Sequence, residues 1–194
     1  MAGRIAGLPT WCRVDRATSV VYRPMMPRFI PSSAQCIALS SFEDRPDAAL
    51  FNAAFGLLYG TGMYLNEMLL LRPIDVAFAE RMRLLISGFR ARTLPVPTGA
   101  ADRLALLLGN ESAGTEDASI FQKNGKTIVD MTVLKELKRR SRLFGFPNEL
   151  GTTDLRIAFA RDMAEKATPF EIIAHMMGYR SVNQLQAFLM RSAS

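Results

Sequence analysis

The chain has 194 residues with 49% apolar side chains, enough for one domain with a full core, and this composition excludes wholesale disorder. A formal charge of +6 and an isoelectric point near 9.7 favour an acidic partner such as nucleic acid. No apolar run is long and charge-free enough to span a membrane, and two isolated cysteines, Cys12 and Cys36, form neither a disulfide framework nor a zinc site.

Residues 1–40 read as an irregular basic arm, punctuated by Pro9, Pro24, Pro27 and Pro31. An arginine-rich, acid-poor start suits a loose tail, a transit peptide or an arm lying along DNA, and the sequence leaves these open. Residues 41–194 read as one domain. "DAALFNAAFGLLYGTG" is an amphipathic helix beginning near Pro46 and closed by Gly60 and Gly62, and "LNEMLLLRP" is a short helix stopped by Pro73. "RMRLLIS" and "ARTLPVP" are strand-like and joined through Gly88-Phe89, which predicts a hairpin. "AADRLALLLGN" returns to helical spacing. The polar stretch after it reads as loop, with a short strand at Ile120-Phe121.

"VDMTVLKELKRRSRLFG" predicts a helix with Asp130 as N-cap and Gly145 as stop. "TTDLRIAFARDMAEKA" predicts another. "TPFEIIAHMMG" carries a capping-box pattern, with Thr168 as cap, Pro169 first and Glu171 closing it. "SVNQLQAFLMRS" forms the last helix, capped by Ser181. The fold class expected is α+β, mostly helical with one small antiparallel sheet. The lone His175 reads as a packed or surface helical residue. No histidine–carboxylate cluster and no phosphate-cradling glycine motif is present, so neither metal nor nucleotide cofactor is expected.

The order of three motifs carries a resemblance. "LLYGTGMYLNEMLLLRPIDV", "TTDLRIAFA" and "MMGYRSVNQLQAF" resemble the three conserved boxes of the tyrosine recombinase, or phage integrase, family. The intervals from Arg156 to Tyr179 and from Tyr179 to Phe188 match the family's spacing, and the predicted hairpin falls where the family places its lysine-bearing strands. The resemblance implies attack on a DNA phosphodiester by a tyrosine, with arginines and a histidine stabilising the phosphate charge and a lysine as acid. Position by position, Tyr64 stands for the first arginine and Ser87 for the lysine. Thr153 stands for a histidine, Tyr179 for the third-box histidine and Phe188 for the nucleophile, and Arg156 is retained.

Phenylalanine has no oxygen with which to attack, so the expectation is a chain that is not an enzyme. It would be a catalytically inactive DNA-binding accessory or regulatory factor of a mobile element or plasmid. Two alternatives stay open: a recombinase subunit active with a partner or through an unusual nucleophile, and a protein-interaction module that retains only the fold. The expected partners are double-stranded DNA and a full-length recombinase of the same element, in the bacterial cytoplasm at the nucleoid. The residues expected on DNA are Arg72, Arg90, Arg92, Arg156, Tyr179 and Arg180, with Lys135, Lys138, Arg139 and Arg142 along one helix face. The resemblance also implies an N-terminal helical domain that closes around DNA, for which residues 1–40 are too short.

Overall fold

In the computed structural model, residues 28–110 and 117–193 are described. Helix α2 (Ala48–Thr61) is the hub. The expectation of an amphipathic helix is corrected here: buried residues such as Leu50, Phe51, Ala53, Phe55 and Leu58 lie on all its sides, so it is satisfied by burial nearly all round. Phe55, Leu57 and Leu58 are inaccessible to solvent, each contributing about 2–3 kcal/mol of burial. Helices α1 (Ser33–Leu39), α4 (Thr98–Asn110) and α6 (Thr152–Glu165) pack directly against it. Gly60 sets the approach of α4, since a β-carbon there would lie 3.3 Å from the Pro97 ring.

Strands β1 (Val76–Ala77), β2 (Arg83–Ile86) and β3 (Arg92–Pro95) form one antiparallel sheet in that order, with Leu84 opposite Leu94 and Ile86 opposite Arg92. The pleat turns Leu84, Ile86, Arg92 and Leu94 inward and leaves Arg83 and Leu85 exposed. The remaining helices and strands of the described residues are α3 (Leu65–Leu69), α5 (Asp130–Leu143), α7 (Phe170–Met176), α8 (Val182–Ala193), and a hairpin of β4 (Gln122–Lys123) with β5 (Lys126–Thr127), with 3-10 turns at Pro73–Asp75 and Gly88–Arg90. The fold is therefore mostly helical with a small antiparallel sheet, as expected. No helix among the described residues is long and apolar enough to cross a membrane.

Four local expectations are corrected. The arm was expected to run irregularly to residue 40, yet Ser33–Leu39 is a helix with Cys36 and Leu39 in the core. It starts at a full capping box: Ser32 Oγ accepts from Gln35 N at 3.3 Å and Gln35 Oε1 accepts from Ser32 N at 2.8 Å. Residues 1–27 lie outside the described part. The strand at Ile120-Phe121 falls instead on Gln122–Lys123, because Asn124 and Gly125 both take positive φ and make the tight turn of a β-hairpin. Asp130 is the first residue of α5 and Val129 occupies its cap. The Thr168 box is absent, because Pro169 occupies the cap of α7.

An ionic network locks α5 to α1 and α2. Arg140 is fully buried. It donates to Glu136 at 2.8 Å, to the Leu39 carbonyl at 2.6 Å and to Asn52 Oδ1 at 2.6 Å. Burial pushes the Glu136 carboxyl up, but hydrogen bonds from Arg139 and Arg140 overcome this and hold it below its ordinary 4.5. Glu67 is likewise raised by burial and lowered further by Arg92 and the Tyr64 amide. A carboxylate depressed in the folded state stabilises the fold above its unfolded value and loses that contribution as pH falls through the folded value. Urea midpoints should therefore be flat from pH 7 to about 5 and fall steadily below about 4.5. A Glu67→Gln, Glu136→Gln chain should show a shallower fall.

Candidate phosphate-binding site

Three chain segments converge around Arg156. The guanidinium is buried on α6, where Nε donates to the Gly62 carbonyl at 2.9 Å and Nη2 to the Met177 carbonyl at 3.0 Å. Gly62 ends α2 in the left-handed conformation (φ +67°), which turns its carbonyl off the helix axis. A β-carbon at Gly62 would run into the Phe159 ring and lie 2.9 Å from Met177, so the turn that presents this carbonyl requires glycine both for conformation and for space.

Aromatic rings frame the cation. The Tyr64 centroid lies 3.7 Å from the Arg156 guanidinium carbon, Phe188 at 5.3 Å and Tyr179 at 5.6 Å. Tyr64 contacts Tyr179 edge-on at 6.2 Å, and Tyr179 packs against Phe188 at 5.5 Å. Burial pushes the Tyr179 hydroxyl up to about 12; Arg156 pulls it down and Tyr64 adds to the rise. At neutral pH Tyr179 is therefore a neutral hydroxyl beside a fixed positive charge, able to donate to an anion. The rim is also basic. Arg90 stacks over the other partner of Arg156, the Tyr64 ring, at 4.1 Å, and Arg180 stacks over Phe89 at 4.1 Å.

The structure thus brings together Tyr64, Arg90, Arg156, Tyr179 and Phe188, and sets Arg180, next to Tyr179 in the chain, over Phe89. Thr153 lies half-buried on the first turn of α6 and Ser87 is exposed at the end of β2. Arg72 caps the short 3-10 turn at Pro73–Asp75 through Asp75 at 3.2 Å and also meets Asp117 at 3.5 Å. Arg92 is corrected outright. Its side chain is 2% exposed, both its terminal nitrogens bond Glu67 at 2.8 Å, and its Nε donates to the Met176 carbonyl at 2.9 Å. It is an internal clamp joining β3, α3 and α7, and no surface remains on it for DNA.

Three of the four predicted α5 cations are held by acids. Arg140 on that helix bonds Asn52, while Arg156 bonds Gly62, about 15 Å further along α2 at 1.5 Å per residue. Arg139 is engaged by Asp44 at 2.8 Å and Glu136 at 2.6 Å, and Lys138 and Arg142 share Glu149 at 3.1 and 2.6 Å. Lys135 makes no ion pair among the described residues. Sequence reasoning missed Phe89, 81% exposed at the tip of the β2–β3 turn, and the inward fork of Arg92. The alternation of Arg92, Leu94 and Val96 was the signal for the second.

The family model described as the phage integrase family matches residues 33–193. The chain belongs to that family. Among curated proteins, this family member is 25% identical over 183 residues to the tyrosine recombinase XerC of Chromobacterium violaceum, covering 91% of this chain and 61% of that protein. It is 26% identical over 177 residues to the tyrosine recombinase XerC of Agrobacterium fabrum, covering 85% and 56%. The chain therefore spans less than two thirds of the length of these relatives. Two solved folds are also similar: XerA recombinase (TM-score 0.75, 18% identity, 88% of this chain and 61% of that one) and XerH site-specific recombinase bound to its difH substrate (TM-score 0.69, 18% identity, 89% and 54%).

These findings overturn the expectation that the chain is not an enzyme. The relatives it matches are named tyrosine recombinases, and the family is one of enzymes. That expectation rested on the replaced positions Tyr64, Ser87, Thr153 and Tyr179 and above all on the missing hydroxyl of Phe188, whereas two other rings against Arg156 carry hydroxyls.

Proposed function

We propose that this phage integrase family chain acts in DNA recombination by binding duplex DNA at the Arg156 site, as a subunit working beside a full-length recombinase of the same mobile element. One observation carries the reading: Arg156 lies against the rings of Tyr64 and Tyr179, Arg90 stacks on Tyr64, and the nearby Glu67 is already consumed by Arg92. A buried guanidinium held at fixed geometry, with neutral hydroxyl donors beside it, suits one phosphodiester oxygen pair. The exposed arginines supply the longer-range attraction and the salt dependence. Tyr64 and Tyr179 serve as donors in this scheme, and Phe188 supplies the apolar wall that keeps water from the guanidinium.

Fluorescence anisotropy of a labelled duplex tests it. Binding at about 50 mM salt should weaken log-linearly with added salt. An Arg90→Glu, Arg180→Glu chain should bind at least about tenfold more weakly, with a salt slope shallower by about 2. Absence of binding to any duplex at low salt would sink the proposal. Nicked duplexes that trap covalent protein–DNA adducts, mixed with this chain and the neighbouring recombinase together, assign the chemistry: an adduct on Tyr179 would make it the nucleophile in place of a donor.

A further inference from the structure

The connection between β2 and β3 has a feature that phosphate binding leaves unused. Ile86 pairs with Arg92, so five residues make the turn, and Gly88 (φ +83°) opens it with no atom within 4 Å of where its β-carbon would be. The positive φ therefore serves the shape of the turn and not packing. Ala91 N closes it by donating to the Gly88 carbonyl at 3.0 Å. The closed turn places Phe89 at its tip, where it is 81% exposed, the most exposed large apolar side chain among the described residues. One face of its ring carries the Arg180 guanidinium at 4.1 Å. Phe89 adjoins Arg90 in the chain and Arg180 adjoins Tyr179, so both members of this stacked pair flank the Arg156 site. The tip is cationic on the face that Arg180 covers, and Arg90 follows it in the chain with its guanidinium on Tyr64. An apolar protein groove would have to carry its own acids to accept it.

We propose that Phe89 is a wedge that stacks on a base next to the phosphate held at Arg156, so that the protein favours DNA in which a base step is already unstacked. The inference rests on the duplex-binding reading above and adds the kind of DNA preferred. An apolar side chain inserted at a base step must first unstack it, and a mismatched step is already partly open. The ring then gains stacking, while Arg90 and Arg180 track the phosphates on its two sides. The turn needs no movement, since the ring already projects.

The test compares two labelled duplexes of one length, one fully paired and one with two adjacent mismatches at its centre. The wild-type chain is expected to bind the mismatched duplex about tenfold more tightly. Phe89→Ala should bring the two affinities within about twofold, and Phe89→Trp should retain the preference. 2-Aminopurine placed beside the mismatch should change its fluorescence on binding the wild-type chain and not on binding Phe89→Ala. Equal wild-type affinity for both duplexes overturns the wedge and leaves the duplex-binding reading standing. So does an unchanged preference in Phe89→Ala, which would point to a protein partner for the tip. Failure to bind either duplex overturns both readings.

Discussion

Glu136→Gln is expected to destabilise the protein by about 3–5 kcal/mol, the largest effect of any conservative single change proposed. Glu136 is 4% exposed and accepts from Arg45, Arg139 and Arg140. Arg45 and Arg139 reach solvent or Asp44 and can rehydrate. Arg140 cannot: it has no solvent access, and its Nη2 already lacks a partner. Losing the carboxylate leaves a guanidinium in the core balanced only by carbonyl and amide oxygens and the rings of Phe42 and Phe55, at 5.3 and 5.0 Å. The pairing term can be isolated with Glu136→Leu, alone and with Arg140→Met. The double variant should be more stable than Glu136→Leu, since replacing both charges removes the stranded cation. Urea denaturation at pH 7 measures each; a loss under about 1 kcal/mol for Glu136→Gln would mean that Arg140 is hydrated.

Gly62→Ala is expected to cost about 2–4 kcal/mol, combining left-handed strain with overpacking against Phe159 and Met177. Gly125→Ala is the control, because Gly125 has nearly the same φ (+71°) and nothing within 4 Å of a β-carbon. Strain alone should then cost about 1 kcal/mol. The difference between the two measures the clash. Because the Gly62 carbonyl positions Arg156, Gly62→Ala should also weaken duplex binding in the fraction that remains folded, while Gly125→Ala should not. Equal stabilities for the two variants would show that α2 and α6 shift apart without cost.

Much of the fold was legible because single helices carry their own signals. α2 is announced by an apolar run ending in Gly-x-Gly, α6 by a periodic segment of the same length, and the β2–β3 hairpin by two alternating stretches around Gly88. The motif order placed Arg156, Tyr179 and Phe188 in one site, and the structure sets the two rings against the guanidinium of the first. The misses were of two kinds. At α1, a proline-rich approach hid a capping box that begins directly after Pro31. At the Asn124-Gly125 turn, polar composition was read as loop although the dipeptide favours a hairpin.

Charge was the poorest guide. Arg92 and Arg140 are as basic as Arg90 and Arg180 in sequence, yet the first two are internal clamps and the last two are exposed. The sequence by itself determined the family, the helical class, the existence of α2 and the meeting of Tyr64, Tyr179 and Phe188 with Arg156. Local chemistry suffices for these, because propensity, apolar period and motif spacing act within short stretches. Only the tertiary structure decided which arginines face outward, that Glu67 is spent on Arg92, that Arg139 of α5 is paired with Asp44, and that Phe89 stands exposed on Arg180. Each depends on partners far apart in the chain, and a guanidinium's role is set by which carboxylate, carbonyl or ring the fold brings within about 4 Å of it.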